Sequence, residues 1–162
     1  MHRTYKAKFL AFILCIFLAL TVPLAARAAS SVNLKDNLAK QMFALVNQER
    51  KKEGLPPYIW DENSVKLAKL KVQDMKENNY FAHYSPKYGM VYQMWTDMKL
   101  PHASVSENIA HHGSLQKAHH ALMISTAHRK NIMSKGFNRI GIAVHQDKGG
   151  AVMVVQVFSR YR

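Results

Sequence analysis

Residues 139–158 read RIGIAVHQDKGGAVMVVQVF, two valine- and isoleucine-rich runs on either side of the tetrapeptide DKGG. The first run alternates over 139–144, and the second run, 151–158, is rich in valine. β-Branched residues favour strands, and a glycine-containing tetrapeptide between two such runs favours a tight turn. The stretch therefore predicts a β-hairpin.

The chain upstream of this hairpin shows helical rather than strand periodicity. Gly54 and the prolines at 56–57 end the first apolar pattern, and Asp61 or Asn63 can cap the next helix. Helices followed by an antiparallel hairpin predict a single α+β domain. The expected helices cover residues 34–52, 61–79, 90–98, 114–124 and 125–133, and Ser114 and Ser125 can cap the last two. Residues 80–86 read as an aromatic loop, and 106–110 as a short extended piece.

The first thirty residues have the three parts of a secretory signal peptide. A basic start precedes an apolar run over 9–20. The sequence Ala-Arg-Ala at 26–28 then places small residues at the two positions that a signal peptidase recognises. A retained membrane anchor is the alternative, although a spanning helix needs about 20 apolar residues. We expect cleavage after Ala28, so that 1–28 is the signal peptide, 29–162 is the mature domain and no transmembrane segment remains.

Removal of the signal peptide changes the charge and the cysteine content. The 162-residue chain has 23 Lys and Arg against 10 Asp and Glu, a net charge of +13. Four of these basic residues and the single cysteine, Cys15, lie within 1–28, which leaves +9 and no thiol. Disulfides, cysteine-ligated metals and cysteine nucleophiles are thereby excluded from the mature domain. Export without disulfides is typical of a bacterial envelope or secreted protein.

Three polar residues, His83, Glu107 and His128, lie between aromatic or apolar neighbours at the edges of the predicted elements. A neutral imidazole is a ligand for zinc and other divalent cations, and a carboxylate with two imidazoles also suits acid–base chemistry. Their spacing matches no short metal-binding motif. From the residues alone, a metal site, an acid–base pair and hydrogen-bonded packing therefore all stay open.

Short motifs in a fixed order resolve part of this ambiguity. They are FxHxSP at 81–86, ENIA at 107–110, SxxHRxNI at 125–132 and IGIA at 140–143, together with LVNxER at 45–50 and LPP at 55–57. In this order they resemble the bacterial branch of the CAP superfamily. This is the SCP-like domain shared with cysteine-rich secretory proteins, antigen 5 and plant pathogenesis-related class 1 proteins. The resemblance covers about residues 38–158.

The resemblance implies a three-layer α-β-α sandwich with a central antiparallel sheet and a large cleft. By motif, His83, Glu107 and His128 match three of the family's four polar cleft residues, and Ser125 stands where the second acid falls. Some members bind zinc or another divalent cation through the two histidines, so His83 and His128 are candidate metal ligands. Ser125 forms hydrogen bonds but supplies no charge. The sequence departs from the usual bacterial Trp, Pro and Gly at Leu122, Thr126 and Ala127.

Other polar and aromatic residues are interpreted as structural. We expect the amides of Asn108 and Asn131 to tie loops to the backbone. The histidine pairs at 111–112 and 119–120, and the basic run at 50–52, are interpreted as solvated surface. The tyrosine and tryptophan side chains suit either the core or stacking on sugar rings.

The expected function is that of a secreted or periplasmic binding module at the cell envelope. Its cleft would hold a divalent cation, a small ligand, a lipid or a wall fragment, and the net charge suits an anionic envelope component. The alternative is a metal-dependent, protease-like hydrolase that uses Glu107 with His83 and His128. Nucleic acid is not an expected partner, because no nucleic-acid-binding motif accompanies the basic residues.

Overall fold

The computed structural model describes the backbone of residues 24–161 and the side chains of residues 36–161. Residues from Val32 onward form one compact unit. The predicted signal peptide lies outside the described residues, apart from the backbone of 24–28. Within the described part of the chain, no helix has the length and apolar content needed to cross a bilayer.

The helices occur where the sequence predicts them, with one difference at the start. The first begins at Leu24 rather than at residue 34. Alanines at 25, 26, 28 and 29 are strong helix formers, so the helix extends beyond the amphipathic pattern that marks its buried part. The helices are α1 (Leu24–Lys52), α2 (Glu62–Glu77), α3 (Val91–Asp97), α4 (Leu115–Ile124) and α5 (Thr126–Ile132).

Side-chain caps fix the starts of two helices. Of the two candidates for α2, Asp61 is the cap, and its carboxylate accepts hydrogen bonds from the Ser64 amide at 2.8 Å and the Ser64 hydroxyl at 2.7 Å. The hydroxyl of Ser114 accepts from the Lys117 amide at 3.2 Å at the start of α4, as predicted. Ser125 occupies the corresponding position of α5, but its side chain makes no capping bond.

The sheet is built around the last strand. Its strands are β1 (Ile59–Trp60), β2 (Ala103–His112), β3 (Arg139–Gln146) and β4 (Val152–Tyr161), in the order β1-β3-β4-β2. β4 pairs antiparallel with β3 on one side and with all of β2 on the other. The hairpin prediction is confirmed, and β2 is longer than the expected 106–110 because β4 offers a partner to each of its residues.

β1 is the element that the sequence did not reveal. Ile59 and Trp60 pair in parallel with Arg139 and Ile140, so one edge of the otherwise antiparallel sheet is parallel. Two residues are too few for the alternating pattern of a strand to show. This segment is a strand only because it lies beside β3 and pairs with it.

Helices cover both faces of the sheet, which confirms the three-layer α-β-α sandwich. On one face, Met42 of α1 and Leu122 of α4 pack with Ile140 and Phe158. On the other face, α2 and α3 pack against Ile109, Ala143, Val155 and Val157. Successive side chains of a strand point to opposite faces of the sheet, so β4 contributes side chains to both cores.

Gly141 allows α2 to lie directly on β3. A Cβ atom at this position would lie 2.1 Å from the amide nitrogen of Val65 and 2.2 Å from the carbonyl carbon of Ser64. Both are backbone atoms, which cannot move aside as a flexible side chain does. The close contact of helix and strand therefore requires glycine here.

Arg50 is buried, contrary to the expectation that the basic run at the end of α1 is solvated. Its Nε donates to the Pro56 carbonyl at 2.8 Å, and its Nη1 donates to the carbonyls of Ile132 at 2.8 Å and Ser134 at 2.9 Å. The guanidinium carbon also lies 3.7 Å from the centre of the Tyr58 ring. Arg50 thus joins the end of α1 to the segment that follows α5.

Candidate functional site

His83 lies in the loop between α2 and α3, and Ser85 fixes the shape of this loop. The Ser85 and Gly89 backbones exchange hydrogen bonds of 2.9 and 2.8 Å. The buried Ser85 hydroxyl accepts from the amides of Lys87 at 3.1 Å and Tyr88 at 2.9 Å. The Ser85 hydroxyl therefore stabilises the turn that directly follows His83.

Glu107 lies in the middle of β2, where its carboxylate meets the imidazole of His83. Glu107 Oε1 and His83 Nδ1 are 2.9 Å apart. The Glu107 side chain is 2% exposed, whereas that of His83 is 47% exposed. The second carboxylate oxygen, Oε2, is buried and has no hydrogen-bond partner among the described residues. A buried carboxylate thus orients a half-exposed imidazole and keeps one oxygen unbonded.

Lys71 of α2 lies beneath this pair, and the sequence analysis missed it. Its ammonium is fully buried, and it donates to the His83 carbonyl at 2.8 Å and to the Tyr80 hydroxyl at 3.3 Å. Burial lowers the pKa of Lys71, while the charges of Glu107 and Asp74 oppose that effect. The feature of the sequence that could have revealed its burial is its position on the apolar face of α2, between Leu67 and Met75.

Tyr80 connects Lys71 to the acidic side chain of Asp74. Its hydroxyl donates to Asp74 Oδ2. The pKa of Tyr80 is raised to about 12, mainly by burial and secondly by this hydrogen bond. The phenol therefore stays protonated at neutral pH. The network of Lys71, Tyr80 and Asp74 supports the loop that carries His83.

His128 lies in α5 and is held beside β2 through backbone contacts. The Asn108 amide donates to the His128 carbonyl at 3.0 Å, and the Asn131 amide donates to Asn108 Oδ1 at 2.9 Å. This confirms the prediction that Asn108 and Asn131 tie loops to the backbone. Burial lowers the pKa of His128, and the nearby charge of His83 lowers it further. The neutral imidazole, which is the metal-binding form, is therefore favoured.

Ser125 precedes His128 by about one helical turn. It is half-buried, and its backbone forms hydrogen bonds with Ala121 and Arg129. Of the four expected cleft residues, His83 and Glu107 are in direct contact. The charge of His83 acts on His128, and Ser125 bonds to none of the other three within the described part of the chain.

The donors at the expected cleft are two imidazoles without a third metal-ligating partner in the described part of the chain. Among residues 36–161, no group of three or more His, Asp or Glu side chains is arranged to hold a metal ion. The carboxylate on His83 Nδ1 fixes that ring as supporting carboxylates do at histidine-bound metals, so the imidazoles of His83 and His128 are the side chains that would hold a divalent cation. Two protein donors leave coordination positions for water or a ligand, unlike the four of a structural zinc site.

The four histidines at 111–112 and 119–120 differ in their exposure to solvent. His111, His112 and His120 are exposed, as expected. His119 is buried, contrary to expectation, and no side chain or backbone group of residues 36–161 forms a hydrogen bond with either of its ring nitrogens. Its Nε2 lies 4.0 Å from Glu49 Oε1 of α1. Burial lowers the pKa of His119, Lys52 and His120 lower it further, and Glu49 opposes them.

Comparison with known proteins points to one family. Residues 43–158 match the family model described as CAP, cysteine-rich secretory protein family. The chain is 40% identical over 116 residues to the uncharacterized protein YkwD of Bacillus subtilis strain 168, covering 71% of this chain and 44% of YkwD. It is 33% identical over 106 residues to the uncharacterized membrane protein YlbC of the same strain, covering 65% of this chain and 31% of YlbC. The chain thus spans less than half of either relative.

Solved structures agree with this assignment. An extracellular protein containing a SCP domain from Bacillus anthracis strain Ames superposes with a TM-score of 0.68 at 28% identity, covering 78% of this chain and 41% of that one. An outer surface protein of Borrelia burgdorferi superposes with a TM-score of 0.72 at 18% identity, covering 78% of this chain and 94% of that one. The second likeness concerns the fold alone.

Proposed function

Since the chain belongs to the cysteine-rich secretory protein (CAP) family, we propose that it is a binding module that acts outside the cytoplasm or at the cell envelope. Its cleft, formed by His83, Glu107, Ser125 and His128, takes a divalent cation, a small ligand or both. The extracellular protein of Bacillus anthracis supports this location by analogy. Zinc is the expected cation, because imidazole nitrogen is a favoured zinc donor.

The observation that carries the proposal is the pair of His83 and Glu107. The buried carboxylate takes Nδ1, which leaves Nε2 of the half-exposed ring for a cation. His128, whose lowered pKa favours the neutral imidazole, supplies the second nitrogen. When bound, the cation adds a Lewis-acidic centre that polarises an oxygen of the ligand.

The polar set favours binding over catalysis. The second acid of the family's cleft is replaced by Ser125, which supplies no charge. One oxygen of Glu107 is committed to His83, so the cleft retains a single carboxylate oxygen without a partner. A reaction that requires two independent carboxylates is therefore not supported by these residues.

A metal-dependent hydrolase is the second candidate, and the free Oε2 of Glu107 favours it. A buried carboxylate oxygen without a hydrogen bond is suited to accept a proton from an attacking water. His83, oriented by the other oxygen, would then bind rather than transfer the proton.

Titration calorimetry with zinc tests the cation site. We expect the wild type to bind about one equivalent, and His83→Ala and His128→Ala to weaken binding at least about tenfold. His120→Ala removes an exposed imidazole from α4 and serves as the matched control. No heat of binding with the wild type, or equal loss in all three variants, would contradict the proposed cation site.

A turnover screen separates the two candidate functions. Peptide, ester and glycan substrates are offered to the zinc-loaded protein and to its Glu107→Gln variant. Absence of turnover supports the binding module. Turnover that is lost in Glu107→Gln and kept in the exposed control Glu77→Gln, with the near-UV circular dichroism unchanged, establishes the hydrolase instead.

A further inference from the structure

The loop that carries His83 forms a second surface feature together with α3. Tyr84, Tyr88 and Tyr92 line a groove of about 490 Å³, together with Lys87, Gln93 and Asp97. We call this the tyrosine groove. It contains none of the four cleft residues. Its volume lies within the range of small-molecule sites.

The walls of the tyrosine groove are held in place before any ligand arrives. The buried Ser85 fixes the backbone on one side through the hydrogen bonds described above. On the other side, the Met90 amide donates to Gln93 Oε1 at 2.7 Å, which joins the loop to α3. A preformed groove loses little conformational entropy on binding.

Two aromatic rings in the groove face solvent. Tyr84 is 58% exposed and Tyr92 is 59% exposed. Both rings are therefore accessible to a ligand without any rearrangement that would uncover them. The groove also holds one basic and one acidic side chain, Lys87 and Asp97, so its charge is balanced although the chain as a whole is strongly basic.

From these observations we propose that the tyrosine groove binds a neutral oligosaccharide of the cell envelope. The apolar faces of sugar rings stack on Tyr84 and Tyr92, and their hydroxyls donate to Asp97 and accept from Lys87. The balanced charge does not suit a polyphosphate or a nucleic acid, since the carboxylate of Asp97 repels phosphate groups.

A proline-rich peptide is the rival occupant, because such peptides also dock in aromatic grooves. Proline has no N–H group, and a carboxylate only accepts hydrogen bonds. A polyproline ligand would therefore cover Asp97 without donating to it, at a cost in desolvation. Sugar hydroxyls satisfy both Asp97 and Lys87.

The test is calorimetric titration of the full chain with a tetrasaccharide of β-1,4-linked N-acetylglucosamine. We expect Tyr84→Ala and Tyr92→Ala each to weaken binding by about three- to tenfold, as loss of an aromatic contact does. Tyr92→Phe keeps the ring and most of the affinity. Ile124→Ala removes an apolar side chain that is 70% exposed outside the groove, and it leaves binding unchanged.

Three results would overturn the tyrosine groove as a glycan site. The first is no tetrasaccharide binding, and the second is binding that survives Tyr84→Ala and Tyr92→Ala combined. The third is binding of a proline decamer, weakened by those variants, in place of the tetrasaccharide. His83→Ala is the control for the cleft: binding lost there but kept in the tyrosine variants would assign the glycan to the cleft and support only the proposed function.

Discussion

Lys71 is the residue that most changes the description of the cleft. It brings a fully buried positive charge beside the carboxylates of Glu107 and Asp74, and it ties the His83 backbone to α2. A buried ammonium is tolerated only where acceptors and opposite charges surround it. The position of His83 therefore depends on a side chain that belongs to the core.

Replacement of Lys71 by methionine tests this dependence. Methionine fills a similar volume but donates no hydrogen bond, so the His83 carbonyl loses its partner. We expect the free energy of unfolding to fall by about 1.5–3 kcal/mol in urea denaturation. The matched control is Lys66→Met, an exposed position on the same helix, which should change stability by less than about 0.5 kcal/mol. Equal effects of the two variants would rule out a special role of Lys71.

His119 predicts an acid-sensitive contact between α1 and α4. Burial lowers the pKa of His119, so the folded protein holds it neutral while the unfolded chain titrates near the ordinary value of about 6.5. Its stabilising contribution is present above that value and is lost as the pH falls from about 6.5 through the folded pKa.

Chemical denaturation between about pH 7.5 and pH 5 measures this loss. We expect the stability of His119→Gln to fall less steeply with decreasing pH than that of the wild type. His120→Gln, at the neighbouring exposed position, should keep the wild-type slope. Superimposable pH profiles of wild type and His119→Gln would show that the imidazole of His119 does not titrate differently on folding.

The sequence pointed to His83 and Glu107, whose side chains are in contact, but it did not point to the residues that support them. His83, Glu107 and His128 could be predicted because family motifs surround them. Lys71, Arg50 and His119 could not, because an amphipathic pattern assigns basic side chains to solvent by default. Whether a long side chain turns inward depends on carbonyls and carboxylates from distant segments, such as the Ile132 carbonyl that accepts from Arg50.

At the scale of elements, Gly141 makes the sharpest prediction. Gly141→Ala places a methyl group against the backbone of Val65 and Ser64, so α2 must move away from β3. We expect a loss of roughly 3 kcal/mol or more in the free energy of unfolding, because overpacking costs about 1–3 kcal/mol even where side chains can adjust.

The control for this variant is Gly113→Ala, a position where an added Cβ meets no atom within 4 Å. Its stability should stay within about 0.5 kcal/mol of the wild type in the same denaturation experiment. If Gly141→Ala were equally well tolerated, the close packing of α2 on β3 would have to be looser than described.

Elements with local determinants were predictable, and those with distant determinants were not. The caps at Asp61 and Ser114 and the turn at 147–150 are fixed by neighbours within a few residues, and all three occur as expected. β1 depends on β3, far along the chain, and no local pattern marks it. The full length of β2 likewise becomes visible only beside β4.

At the scale of the whole molecule, net charge predicts a salt-dependent affinity for anionic surfaces. Residues 29–162 keep 19 basic and 10 acidic side chains, and charges of this kind attract anionic lipids or polymers. We expect co-sedimentation with phosphatidylglycerol-containing vesicles at about 50 mM NaCl and at least about a tenfold loss of affinity at about 500 mM, because added salt shortens the screening length. Phosphatidylcholine vesicles are the neutral control. Salt-independent binding to both would point to apolar contacts instead.

The position of β4 has a consequence for the order in which the domain can assemble. A chain is synthesised from its N-terminus, and β4 comes last among the strands although it lies in the interior of the sheet. Until residues 152–161 have left the ribosome, β2 has no strand to pair with and neither core has its central layer. The sheet of this domain therefore cannot close until β4 itself has emerged, however early β2 and β3 are synthesised.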